Sequence, residues 1–132
     1  MQFEHTSKQY DAELEAVRAR VLEMGGLVEQ QIVNALKSLI EADTELAKEV
    51  MDNDSQVNGL EVLIDENCSQ IIARRQPAAG DLRMVMTMVK TITDLERIGD
   101  EATKIARTAL RIYEQDRMYK PRFIEIKSMV KI

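Results

Sequence analysis

Asp94-Leu95-Glu96-Arg97-Ile98-Gly99-Asp100-Glu101 is the stretch from which the rest of the chain can be read. Apolar and small residues recur around it at helical spacing: Val85, Val89, Ile92, Leu95, Gly99, Ala102, Ala106, Ala109 and Tyr113. The stretch therefore lies inside one long amphipathic helix. Carboxylates interrupt that helix at a spacing that matters. Glu96 and Asp100 are four apart and sit one turn apart on one face. A second Glu-x-x-x-Asp, Glu61 and Asp65, precedes it in the chain.

Working back from the stretch, Gln76-Pro77-Ala78-Ala79-Gly80 is the clearest helix stop, and Gly80-Asp81 offers a turn and a new N-cap. Before it, Leu46, Val50, Asn53, Val57, Leu60, Ile64, Asn67 and Ile71 step by four and three, as in a left-handed bundle seam. Asp43 or Thr44 caps that helix, which continues through the weak patch Asp52-Asn53-Asp54-Ser55. Earlier still, Tyr10, Leu14, Val17, Val21, Met24 and Val28 form the same kind of row, which drifts after Gln31 into Ile32, Ala35, Leu36 and Leu39. Thr6 with Gln9 matches a capping box, so the first helix is expected to start near Ser7, after a loose lead-in. Gly25-Gly26 lies inside the row and predicts a close helix crossing or a mild bend, with a hinge as the alternative.

Three helices of about 30–37 residues, roughly 45–55 Å long each at 1.5 Å per residue, joined by short turns, predict an all-α fold. The expected architecture is an elongated antiparallel three-helix bundle over residues 1–115. Residues 116–132 read as a linker followed by the start of a second unit: Pro121 suits a first helical turn, and Phe123, Ile126 and Val130 begin another apolar stripe. Such a stripe invites self-association, so a homo-oligomer, in the simplest case a dimer, is expected.

Composition narrows the function. The chain has 132 residues, a net charge of −5 with acids and bases interspersed, no Trp, one Cys and one His. It has no basic stripe for nucleic acid, and no apolar run near the roughly 20 residues of a membrane span. The lone Cys68 rules out a disulfide framework and reads as a buried small hydrophobe. A cytoplasmic protein is expected, with no membrane insertion. His5, ahead of the helices, cannot complete a Glu-x-x-His di-iron site, and Cys–His nucleophilic catalysis lacks its residues. No catalytic residues and no enzymatic activity are expected.

The acidic pairs remain. On a helical wheel, each Glu-x-x-x-Asp flanks its apolar stripe on the same rotational side, which places both pairs at the rim of the helix interface. An antiparallel hairpin pivoting near Gly80 puts Glu61 level with Asp100 and Asp65 level with Glu96. A pivot nearer Ala78 puts Glu61 level with Glu96. Glu61, Asp65 and Glu96 have no Lys or Arg at three or four residues' distance; Asp100 has Arg97 and Lys104. Four clustered carboxylates want a cation, which an arginine or a hard metal ion can supply. Glu61, Asp65, Glu96 and Asp100 are thus the candidate metal ligands. Asp94 and Arg97 point elsewhere on the wheel and are candidate partner contacts.

Asp94-Leu-Glu-Arg-Ile-Gly-Asp-Glu-Ala102 resembles the signature of the PhoU family of phosphate-uptake regulators. Met24 through Leu39, Ile64-Asp65-Glu66 and Arg75-Gln-Pro-Ala-Ala-Gly-Asp-Leu-Arg83 support the resemblance, which covers about residues 7–115. It implies a three-helix repeat that occurs twice in chains of about double this length. It implies acidic motifs that hold iron or other metal clusters in some members, and these map onto Glu61/Asp65 and Glu96/Asp100. Divalent or trivalent ions such as iron, zinc or magnesium are the cofactors it suggests. The role it implies is negative control of the phosphate-starvation response and of phosphate uptake, through the ATPase of the high-affinity phosphate transporter and a phosphate-sensing histidine kinase. A metal-binding or metal-storage bundle, with hydrolysis at an all-carboxylate cluster, is the competing expectation.

Overall fold

In a computed structural model, residues 2–115 are described, with the side chains of residues 8–114. The described chain is three helices: α1 Gln2–Glu41, α2 Thr44–Arg75 and α3 Ala79–Gln115. The expected all-α three-helix bundle is the fold found. The second-repeat stripe at Phe123, Ile126 and Val130 lies outside the described residues.

The two turns differ in how they end a helix. After α1, Ala42 adopts φ 56°, and the Asp43 N–H bonds back to the Ser38 carbonyl at 3.0 Å. This is a Schellman closure with alanine in the position that usually takes glycine. Asp43 then accepts the Leu46 N–H on Oδ1 at 3.0 Å and caps α2. After α2, Gln76 takes φ 46° immediately before Pro77, where proline disfavours a further helical residue. The Leu82 N–H bonds to the Ala78 carbonyl at 2.8 Å, so α3 opens at Ala79 and not after Gly80 as the sequence suggested. Gly80 falls within the first turn.

At the other end of the chain, α1 begins at Gln2 and carries the backbone of residues 2–6, His5 included, in helix. The expected cap at Thr6 is therefore not used, because no Gly or Pro in Gln2–Thr6 interrupts the helical hydrogen-bond ladder. Gly25 and Gly26 do not mark a close crossing: a Cβ built on either meets nothing within 4 Å.

The helices pass through two compact units. The first comprises the chain up to Val28 together with Gln56–Arg97. Its core is aliphatic: Val17, Met24 and Val28 from α1, Val57 and Ile64 from α2, and Val85 and Ile92 from α3 are all at most 2% exposed. Each such side chain contributes roughly 1.5–3 kcal/mol on burial. α1 and α2 run antiparallel here, with Glu13 facing Arg75 and Arg20 facing Asn67.

The second unit comprises Glu29–Ser55 and the described residues from Ile98 on. Its core is built from small residues, Ala35, Ala47, Ala102 and Ala106 around Val50, with Ile32, Met51, Ile105 and Leu110 packed against them. Tyr113 donates its hydroxyl to the Leu39 carbonyl at 2.6 Å, satisfying one of the carbonyls left over at the end of α1.

Three seam assignments change. Asn53 is exposed, and at the start of the row Ala47, at 0% exposure, is buried in place of half-buried Leu46. Leu36 is exposed, while Ser38 beside it is buried and bonds the Ala35 carbonyl at 2.7 Å. The drift after Gln31 has a physical cause. Gln31 is buried and donates its amide to Asp54 Oδ1 at 3.2 Å, so a polar contact holds α1 to α2 where a strict heptad would put a hydrophobe.

Candidate functional site

Of the expected acidic residues, Glu61 and Asp65 lie one turn apart on α2, and Glu96 lies on α3, all in the first unit. Asp65 is exposed; Glu61 and Glu96 are half-buried at the edge of the apolar core. One carboxylate oxygen of Glu61, Oε2, is shut off from solvent. Asp100, one turn beyond Glu96, is half-buried and belongs to the second unit. Lys104 pairs with Glu101 at 3.2 Å and not with Asp100. Asp94 and Arg97 are both exposed on α3. Among the described residues, no three His, Cys, Asp or Glu side chains stand together closely enough to hold a metal ion.

Below this rim, Cys68 is fully buried. Burial pushes its thiol pKa up, and neighbouring Asp65 adds to the shift. A thiol held protonated in this way is a poor nucleophile.

A second polar site forms between α1 and α2 of the first unit, and it was not legible in the sequence. Val17 and Ile71, both buried, and Ala16 line a cleft of about 180 Å³ whose rim carries Glu13, Arg20, Asn67, Gln70 and Arg74. Arg20 donates to Asn67 Oδ1. At the other end Arg75 clasps Glu13, Nη2 to Oε1 at 2.8 Å and Nε to Oε2 at 3.3 Å. That hydrogen bond holds the Glu13 pKa below its usual value of 4.5 against the opposing effect of burial. Tyr10, one turn before Glu13, donates its hydroxyl to Asp81 Oδ2 at 3.1 Å and ties the first turn of α3 to α1. Its pKa is raised by burial first, then by Asp81. The only sequence signal for the cleft was the polar seam residue Asn67; the partner that uses it sits 47 residues away.

Three long helices packed over an aliphatic core make this a helical-bundle domain. The PhoU domain matches residues 21–109, and the chain belongs to that family. It is 50% identical over 125 residues to the phosphate-specific transport system accessory protein PhoU of Edwardsiella tarda, covering 95% of this chain and 51% of that protein. The PhoU of Escherichia coli K12 gives the same identity and coverage. The PhoU homolog of Pseudomonas putida is 56% identical over 111 residues, 84% of this chain and 43% of that protein. The crystal structure of PhoU from Pseudomonas aeruginosa superposes with a TM-score of 0.79 at 45% identity, covering 92% of this chain and 61% of that one. The chain thus spans about half the length of the curated relatives it matches. Among the described residues, no helix is long and apolar enough to cross a membrane.

Proposed function

We propose that this chain is part of a regulatory adaptor that restrains the phosphate-starvation response and phosphate uptake. It acts by docking on the ATPase of the phosphate transporter and on a phosphate-sensing histidine kinase at the cytoplasmic side. The observation that carries this reading is the 50% identity, across 95% of the chain, to proteins named as accessories of the phosphate-specific transport system. The physical character of the protein supports it. Long helices present mixed charge, including exposed Asp94 and Arg97 on α3, and such surfaces suit reversible, salt-sensitive docking. The exposed apolar row Val33, Leu36 and Ile40 on α1, at helical spacing, supports self-association as part of the same reading.

The reading is tested by co-purification of the full-length protein with the transporter ATPase and with the kinase. Capture of either, weakened by salt and by Asp94→Lys with Arg97→Glu, is expected. Capture of neither at low salt contradicts the docking reading.

Metal binding is a second and separable reading, favoured by the buried Oε2 of Glu61 beside exposed Asp65. In the first unit Glu61, Asp65 and Glu96 are the oxygen ligands for a hard divalent or trivalent ion, after side-chain rotation or with further ligands from a partner. Such an ion supplies a fixed positive charge for docking. Elemental analysis of protein purified without chelator tests it: metal that falls on Glu61→Gln with Glu96→Gln supports the site, and unchanged stoichiometry rejects it.

A further inference from the structure

The cleft between α1 and α2 has an electrostatic character that its composition alone does not reveal. Three charged side chains line it: Glu13, Arg20 and Arg74. Glu13 is already paired, because Arg75 outside the cleft takes both of its oxygens. Arg20 and Arg74 are not. Among the described residues, neither guanidinium has a carboxylate within 4.0 Å, whereas Arg18, Lys48, Arg75 and Lys104 each have at least one. The cleft therefore presents two guanidinium groups that make no ion pair, over an apolar floor, with Gln70 also on its rim.

Position adds selectivity. Arg20 sits at the Asn67 end, where the Asn67 oxygen holds it half-buried. Arg74 sits at the Glu13 end and is near enough to lower the Glu13 pKa further without forming an ion pair. Asn67 and Arg74 are seven residues apart, about 10 Å along a helix. Two guanidinium forks facing one small cleft from its two ends match oxygens spread over more than one centre. The guanidinium fork is the side chain best suited to phosphoryl oxygens. A cleft of about 180 Å³ admits a small anion and not a folded partner.

We infer that this cleft is a binding site for a small phosphoryl oxyanion, with Arg20 and Arg74 as its two anchors and a diphosphate spanning them better than a monophosphate. The assignment concerns the cleft alone and does not depend on the regulatory reading, because binding in vitro and gene control in cells are separate measurements.

Calorimetry on the full chain, without divalent ions, tests it with inorganic phosphate, pyrophosphate and ADP as probes. Saturable binding of pyrophosphate, tighter than that of phosphate, is expected. Arg20→Gln and Arg74→Gln should each weaken it by about tenfold or more, the usual consequence of losing a charge-assisted hydrogen bond. Arg18→Gln, on the exposed Arg18–Glu15 pair, should leave it unchanged. ADP binding equal to pyrophosphate identifies the free anion as the source of the ligand, and tighter ADP binding identifies a nucleotide; both sustain the site. Arg74 is exposed, so its replacement leaves the core intact, and circular dichroism of each variant verifies the fold. No saturable binding of any probe up to about 10 mM, or an equal loss in Arg18→Gln, overturns the assignment.

Discussion

Arg75, in the last turn of α2, grips Glu13 on α1 through two hydrogen bonds, at 2.8 and 3.3 Å, across 62 residues of chain. The pair sets the register of α1 against α2 at one end of the cleft. It also offsets the one negative charge on the rim of that cleft. Fold and site are joined at this contact.

The pair predicts a pH signature. Glu13 should titrate below the ordinary 4.5, because the hydrogen bond from Arg75 favours its charged form. A lowered folded-state pKa gives stability that is present above the unfolded value and lost as pH falls through the folded one. The loss therefore belongs below about pH 4.5, and it is small because the Glu13 side chain is 39% exposed. Side-chain carboxyl NMR titration should show the depression in the natural protein and its disappearance in Arg75→Gln. An unchanged titration in the variant rejects Arg75 as the cause.

Gln31 predicts a stabilising substitution. Its amide nitrogen reaches Asp54, but its Oε1 is buried and finds no hydrogen-bond partner among the described residues. An unmet buried acceptor costs about 1–3 kcal/mol. Gln31→Met keeps the length and removes the acceptor, while half-exposed Asp54 remains open to solvent. Urea denaturation should show a gain of about 1 kcal/mol. A loss of similar size would mean that the contact with Asp54 matters more than the unmet oxygen.

Gly25 and Gly26 lie in the middle of α1 with open space where a Cβ would stand. Gly25→Ala and Gly26→Ala should each stabilise the protein by about 0.5–1 kcal/mol, by reducing the freedom of the unfolded chain at no steric cost. Thermal melts of the single and double variants measure this. A drop in melting temperature would show that the glycine pair serves a bend or an approach by a partner.

Tyr113→Phe tests the closure of the first turn. Losing the 2.6 Å bond to the Leu39 carbonyl should cost about 0.5–1.5 kcal/mol. Burial raises the Tyr113 pKa, so its phenol stays a donor through the neutral range. A melting curve unchanged from the natural protein would mean that solvent replaces the hydroxyl freely.

The helical rows were legible because one face of each helix repeats its apolar residues near the 3.6 period. Leu14, Val17, Met24 and Val28 on α1, and Val85, Ile92, Ala102, Ala106 and Ala109 on α3, are buried where the repeat puts them. The repeat misled where a small residue could take the seam. Ala47 is buried where Leu46 was expected, since hydropathy weights an alanine little. The rim positions of Glu61 and Glu96 followed from the wheel, because a carboxylate beside an apolar stripe has nowhere else to go. The cleft did not follow. Arg20 and Asn67 meet across 47 residues and Glu13 and Arg75 across 62, and a repeat within one helix carries no information about register between helices. Helix ends were legible to within a few residues. Ala42 took the left-handed position without glycine, and α1 ran on to Gln2 past a capping box that was not used.

The central claim, restraint of the phosphate-starvation response, is met most directly by a starvation-promoter reporter read at high phosphate in cells that lack the full-length protein. The reporter should stay on in the deletion strain and fall silent when the protein is restored. Normal repression in the deletion strain would contradict it.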